Sequence, residues 1–152
     1  MIQYLLDTNI LLRASDRTSP SYSLAVNCVA SLIAQGYQCV ITPQVLIEFW
    51  VVATRPSNVN GLGWTVQKTE EKINQLVTQF ALIEETEAIL TEWLNLVTRH
   101  QIKGKRTHDA RLMAVAIANG IDYILTFNPK DFTKIKELTI VHPHDIEPTT
   151  LE

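Results

Sequence analysis

The sequence predicts an α/β fold, a three-layer α/β/α sandwich with a mainly parallel central sheet. Two observations carry this. Short apolar runs with the length of buried strands alternate along the chain with longer segments whose apolar residues recur at helical spacing. Two of the short runs also end on polar residues, Asp7 after the first and Thr126 with Asn128 after a later one. In parallel α/β sheets the carboxyl ends of the strands face the ligand crevice, so both ends are expected to meet in one cleft.

The elements follow in order. IQYLLD, from Ile2 to Asp7, is an apolar run of strand length, and a helix starts near Thr8. Ser19, Pro20 and Ser21 interrupt the chain before an amphipathic helix from Tyr22 to Ala34, closed by Gly36. CVIT, from Cys39 to Thr42, is the next strand. Thr42 then serves as N-cap and Pro43 as first residue of a helix, PQVLIEFWVVAT, that runs to about Thr54 and is apolar around most of its girth. Such a helix is expected to be mostly buried. RPSNVNGLG, from Arg55 to Gly63, is turn-rich and reads as a mobile flap before a polar helix from about Thr65 to Thr78. A strand from Phe80 to Glu84 and a helix from Thr86 to His100 come next. KGKR, from Lys103 to Arg106, reads as a basic connection into a helix from about His108 to Asn119, with Gly120 just past its end. Tyr123 to Thr126 is a strand, Asn128 and Pro129 form a turn, a short segment surrounds Phe132, and LTIV is a last strand ending near His142. There is no internal repeat, and residues 1–152 are expected to form a single domain.

A chain of 152 residues can bury roughly two-thirds of its unfolded surface without disulfides or structural metals. Its apolar share of 46% and charged share of 19% are those of a globular protein. No apolar run approaches the roughly 20 residues of a membrane span. The N-terminus has no basic leader segment, and Asp7 interrupts its only apolar stretch, so secretion is not expected and a cytoplasmic location is. Cys28 and Cys39 have no companion CxxC and read as reduced structural thiols. A net charge of −3 excludes a protein that coats nucleic acid by bulk electrostatics. Any polyanion must meet a local basic patch.

Three carboxylates stand where an unremarkable fold would avoid them. Glu48 sits within QVLIEFWVVA, between Ile47 and Phe49, and a buried carboxylate must be paired, protonated or bound to a cation. The alternative is a Glu on the one solvated stripe of the helix, near Gln44 and Arg55. Asp109 shares a helix face with Leu112, Met113 and Ala116, although an acid in a first turn is also explained by the helix dipole. Asp7 by itself is explained by a turn that closes a strand. Convergence changes these readings, because three carboxylates in one crevice repel unless a cation stands among them. Hard oxygen donors without neighbouring His or Cys suit Mg²⁺ or Mn²⁺ better than zinc.

LLDTNILL (Leu5 to Leu12), the Glu of VLIEF, THDARLMAVA (Thr107 to Ala116) and YILTFNPKDF (Tyr123 to Phe132) together resemble a PIN domain, with the closest likeness to VapC-type ribonuclease toxins of bacterial toxin–antitoxin pairs. The resemblance runs from Leu5 to about His142, and it is the ordered set of motifs that is specific. It implies that Asp7, Glu48 and Asp109 are metal-binding acids, with Thr8, Asn9 and Thr107 as supporting polar residues. It implies an endoribonuclease in which metal-activated water attacks the RNA phosphodiester, held in check by an antitoxin whose tail enters the groove. It also implies a homodimer, for which the apolar helix around Leu24 to Ile33 offers a surface. The sequence departs from the family at the fourth acidic position, where Asn128 stands two residues after Thr126 and Asp131 lies three further on. One well-held metal is the expectation.

Lys103, Lys105 and Arg106, just before Asp109, and Arg13, one turn after Asn9, are candidate phosphodiester contacts, with ordinary loop solubility as the alternative. His100, His108, His142 and His144 lack ligand spacing. Trp50, Trp64 and Trp93 read as packing residues, and Trp64, beside the glycine-rich segment, also as a stacking surface. Two other classes remain open: a catalytically weak PIN domain that binds RNA or serves as a scaffold, and a metal-dependent phosphohydrolase for small phosphoesters.

Overall fold

The computed structural model describes residues 1–149, so the last three residues of the expected domain lie outside the described residues. Five strands form one sheet: β1 (Gln3–Leu6), β2 (Gln38–Ile41), β3 (Ala81–Leu82), β4 (Tyr123–Leu125) and β5 (Thr139–Val141). Their order is β3-β2-β1-β4-β5, and every neighbouring pair is parallel. The helices are α1 (Thr8–Ala14), α2 (Tyr22–Ala34), α3 (Pro43–Thr54), α4 (Val66–Gln79), α5 (Ala88–Arg99) and α6 (Arg106–Ala118). They pack in two groups, α1 with α2 and α3 and α3 with α4, then α5 with α6. Crossovers between parallel strands are right-handed as a rule, and with this strand order that puts the two groups on opposite faces and gives the expected three layers.

Coverage on both faces explains why the strands are apolar without alternation. Leu5, Leu6, Val40, Ile41, Ile124 and Leu125 are all fully buried. Register is fixed by pairs such as Leu5 with Val40 on one side and Leu5 with Ile124 on the other. Near the amino ends of these strands, the Tyr4 ring stacks on Tyr123 with centroids 4.5 Å apart. The helix starts follow the sequence signals. Thr42 Oγ1 accepts from Val45 N at 3.2 Å, with Pro43 opening α3, and Thr65 Oγ1 accepts from Lys68 N at 3.1 Å at the start of α4.

Three expectations need correction. Helix α3 is not buried all round: Val45, Phe49 and Ala53 face the core, whereas Ile47 is 65% and Val51 49% exposed. Four-residue spacing separates the two stripes, but uniform apolarity hid which was which. The segment from Arg55 to Gly63 is not a free flap. Leu62 N donates to Val52 O, Gly63 N to Arg55 O and Trp64 N to Ala53 O, which folds it back onto the end of α3. Helix α6 starts at Arg106 rather than His108, because Gly104, at φ +61°, turns the chain and accepts from both Thr107 N and Thr107 Oγ1. Cys28 and Cys39 are both buried and free, and burial pushes their thiols up to about 11 and about 12.

Candidate active site

From β1 the chain moves outward to β2 and β3, then crosses back to β4 on the other side of β1. The sheet thus changes winding direction between β1 and β4, and a crevice opens beyond the carboxyl ends of those two strands. Asp7 and Thr126 are the first residues past them. Asp7 N donates to Leu125 O at 3.0 Å, so the sheet pairing extends to the lip of the crevice.

Thr126, fully buried, is the hub of this lip. Its hydroxyl donates to Asp7 Oδ2 at 2.8 Å and accepts from Asn9 Nδ2 and from Asn128 N, each at 3.1 Å. Asn9 Oδ1 accepts from Phe127 N at 3.0 Å, which ties α1 to the chain leaving β4. Asp7 is also the N-cap of α1, with Oδ1 accepting from Thr8 N at 2.8 Å. Thr8 then joins two acids, since its hydroxyl donates to Glu48 Oε2 at 2.9 Å.

Glu48 is half-buried and held from a second side. Gln44, one turn earlier on α3 and buried, donates from Nε2 to Glu48 Oε1 at 3.1 Å and to His108 O at 3.0 Å. Arg111 donates to Gln44 Oε1 at 2.9 Å and pairs with both carboxylate oxygens of Glu85 at 2.6 Å. These bonds tie the start of α6 to the start of α3, where Asp109 and Glu48 line one cleft. Asp7, Thr8, Asn9, Glu48, Asp109 and Arg55 line one cleft of about 370 Å³.

Asp7 and Asp109 differ in how their charge is handled. Burial raises the Asp7 carboxyl, the bonds from Thr126 and Thr8 lower it, and the charges of Glu48 and Asp131 raise it further. Asp109 accepts no hydrogen bond among the described residues. Burial, followed by the charges of Asp7, Asp131 and Glu48, pushes it up to about 7, against the nearby Arg106 guanidinium. Asp109 therefore faces three like charges with one cation to offset them.

The structure brings together Asp7, Thr8, Asn9, Glu48 and Asp109. Thr107 does not join them, because its hydroxyl bonds Gly104 O at 2.6 Å and its carbonyl accepts from Trp93 Nε1 at 2.8 Å. Asn128 is exposed, reaches the hub through its backbone N–H and caps nothing with its side chain. Asp131, three residues beyond Asn128, is the one whose charge is felt at both Asp7 and Asp109. Arg106, in the first turn of α6, donates to Lys130 O. The Arg13 guanidinium lies 4.1 Å from the centroid of the Phe127 ring. Lys103 and Lys105 are exposed on the connection before α6, and neither forms an ion pair among the described residues.

Sequence reasoning missed Thr126 as hub, Gln44 and Arg111 as supports of Glu48, and Arg55 as a cleft residue. Only Gln44 left a signal: a buried amide four residues before a Glu on one helix.

Among the described residues no three His, Cys, Asp or Glu side chains stand close enough to hold a metal ion between them. The donor chemistry of the cleft nevertheless fits a hard divalent cation. Its acids offer only oxygen, and the Asp109 carboxyl, pushed up to about 7 by burial and by three neighbouring acids, accepts no hydrogen bond among the described residues. Carboxylates repel at short range, and a cation is what offsets that repulsion.

Fold and cleft define a parallel α/β protein with an acidic crevice at the turning point of its sheet. The chain belongs to the PIN domain family, which matches it over residues 4–138. Its fold is similar to a chain of the VapBC2 complex of Rickettsia felis, with a TM-score of 0.69 and 21% identity over 93% of this chain and 98% of that one. It is also similar to a chain of VapBC-1 from nontypeable Haemophilus influenzae, with a TM-score of 0.67 and 17% identity over 95% and 100%. A chain of a toxin–antitoxin complex from Klebsiella pneumoniae has a TM-score of 0.63 and 24% identity over 92% and 97%. Among curated proteins, none matches the chain. Among the described residues, no helix is long and apolar enough to cross a membrane.

Proposed function

We propose that this chain is a divalent-metal-dependent endoribonuclease and the toxin of a toxin–antitoxin pair. The observation that carries the reading is the set of Asp7, Glu48 and Asp109 on one cleft, with Asp109 raised to about 7 and accepting no hydrogen bond among the described residues. Membership of the PIN domain family supports it. So does the fold shared with chains of toxin–antitoxin complexes and with VapC20 of Mycobacterium tuberculosis, a sarcin–ricin-loop-cleaving toxin matched at a TM-score of 0.57 and 16% identity over 80% of this chain and 86% of that one.

In this reading Asp7, Glu48 and Asp109, which line one cleft without converging on a single point, would close on one Mg²⁺ or Mn²⁺. When bound, such an ion supplies a water of lowered pKa and a counter-charge for the phosphate oxygens. Thr126, Thr8 and Asn9 fix the Asp7 carboxylate, and Gln44, backed by Arg111, fixes Glu48. Arg106, Arg13, Lys103 and Lys105 meet the phosphodiester backbone. An antitoxin as partner, a homodimer and a cytoplasmic setting complete the proposal, with residues 1–152 acting as one domain.

The test is cleavage of a mixed-sequence labelled RNA by purified protein in Mg²⁺, Mn²⁺ or chelator, beside an Asp7→Asn variant prepared identically. Cutting that needs metal and vanishes in Asp7→Asn is the expected result. Equal cutting by both proteins would remove the cleft from the chemistry. Binding without cutting by the wild-type protein would favour an RNA-binding module instead.

A further inference from the structure

A second cavity, of about 830 Å³, lies between the turn that follows α1 and the start of α4. Its walls include Arg17, Lys68 and Lys72, together with Asp16, Ser57 and Trp64. None of the three cations forms an ion pair among the described residues. The one acid of the group, Asp16, uses Oδ1 to accept from Thr18 N at 3.0 Å and Thr18 Oγ1 at 2.6 Å. In a chain of net charge −3 this is a local excess of positive charge in a concave place. Burial lowers the Lys72 ammonium, and among the described residues no carboxylate pairs with it. The Lys68 ammonium stands 4.4 Å from the centroid of the Trp64 ring. The ammonium thus lies over the indole ring, so a phosphate drawn to Lys68 is held next to an aromatic surface.

The cavity shares a wall with the acidic cleft. Leu62 N donates to Val52 O at 3.1 Å and Gly63 N to Arg55 O at 2.9 Å. Val52 and Arg55 line the cleft, while Leu62 and Gly63 line the cavity. A strand whose scissile phosphate lies at Asp7 and Asp109 would pass Arg55 and enter this cavity with its flanking nucleotides.

We propose that the Arg17–Lys68–Lys72–Trp64 cavity is a subsite for single-stranded RNA flanking the scissile bond, taking phosphates on the three cations and a base beside the Trp64 indole. The identity of the strand rests on the nuclease reading above; the affinity for phosphodiester does not. An acidic peptide would satisfy the cations, but it has no use for the aromatic plane or for continuity with the acidic cleft.

Binding is read by fluorescence anisotropy of a labelled single-stranded RNA, in chelator, on the full chain carrying Asp7→Asn. Arg17→Glu and Lys72→Glu, added separately, are each expected to weaken binding about threefold or more. Each should also reduce the slope of log affinity against log salt by about one. Asp16→Asn, which keeps the Oδ1 acceptor for Thr18, is expected to tighten binding, and it tests the site if a charge reversal fails to fold. Unchanged RNA affinity in all three variants would overturn the subsite. Loss of poly-glutamate binding with RNA binding intact would overturn it in favour of an acidic peptide. If wild-type protein cuts no RNA while these variants still lose RNA binding, the nuclease reading fails and the subsite stands.

Discussion

Replacing Asp109 by Asn is expected to stabilise the metal-free protein, and to do so in a pH-dependent way. The folded Asp109 carboxyl keeps its proton up to about 7, whereas an unfolded chain gives up an Asp proton near 4. Between those values the folded state holds a proton that the unfolded state has lost, so this residue costs stability progressively as pH rises. Below about 4 both states are protonated and the cost is absent. The full separation corresponds to about 4 kcal/mol at 1.36 kcal/mol per tenfold change. The side chain is only half-buried and water screens much of that, which leaves about 1–2 kcal/mol at pH 8. For a domain of this size Asp109→Asn should therefore raise Tm by about 3–6 °C at pH 8 in chelator, and by close to nothing at pH 4. Thermal unfolding followed by circular dichroism at the two pH values measures it. A variant no more stable than wild type at pH 8, or equally stabilised at both pH values, would refute the account of Asp109 as a carboxylate repelled by its neighbours. Retained cleavage by the same variant would separately remove it from the proposed chemistry.

Two further outcomes test the scaffold. Thr126→Val keeps the shape of a fully buried residue and removes one donated and two accepted hydrogen bonds, so urea unfolding should show a loss of about 2 kcal/mol. A loss under about 0.5 kcal/mol would mean that Thr126 is not the hub of the lip. Gly61→Ala would place a Cβ 1.9 Å from the Arg55 carbonyl oxygen, a backbone atom with no rotamer to yield. It should cost about 2–3 kcal/mol by the same measurement, and a neutral result would show that the turn after α3 is looser than its hydrogen bonds indicate.

How much of this was legible in the sequence depends on whether a signal was local. Strands β1, β2 and β4 are short apolar runs bounded by turn or cap residues, and the sequence placed each to within a residue or so at either end. Asp7 was legible because it both ends a strand and caps a helix. Strand β3 was overestimated: the apolar run from Phe80 suggested five residues, but only Ala81 and Leu82 pair, at the sheet edge beside β2. Of the supports of Glu48, Gln44 lay at a legible four-residue spacing but Arg111 did not, since it reaches Gln44 across 67 residues and Glu85 across 26. No spacing rule links such positions; the meeting of the first turns of α3 and α6 at the cleft does. The sequence placed Thr126 at the crevice but not as its hub, because a Thr after a strand is common and only the proximity of Asn9 and Asp7 gives it that role.

The fourth acidic position shows why a motif alone misjudges the charge of a cleft. Counting from Thr126, spacing selects Asn128 and subtracts one negative charge. The backbone shows another arrangement. Asn128 spends its N–H on Thr126, and Pro129–Asp131 then forms a single 3₁₀ turn, in which Asp131 N bonds Asn128 O at 3.1 Å. That tight turn carries Asp131 back toward the lip, and its charge raises both Asp7 and Asp109. The cleft is lined by three carboxylates, and a fourth outside it, Asp131, adds its charge to Asp7 and Asp109 with Asn at 128. Since attraction of a cation depends on that summed field, whereas coordination depends on which oxygens reach it, Asp131 can contribute to the first without the second. The same distinction separates Arg106 from Lys103 and Lys105: only Arg106 lies near enough to lower Asp109. Of the basic residues just before Asp109, Arg106 is thus the one whose charge is coupled to the acidic cleft.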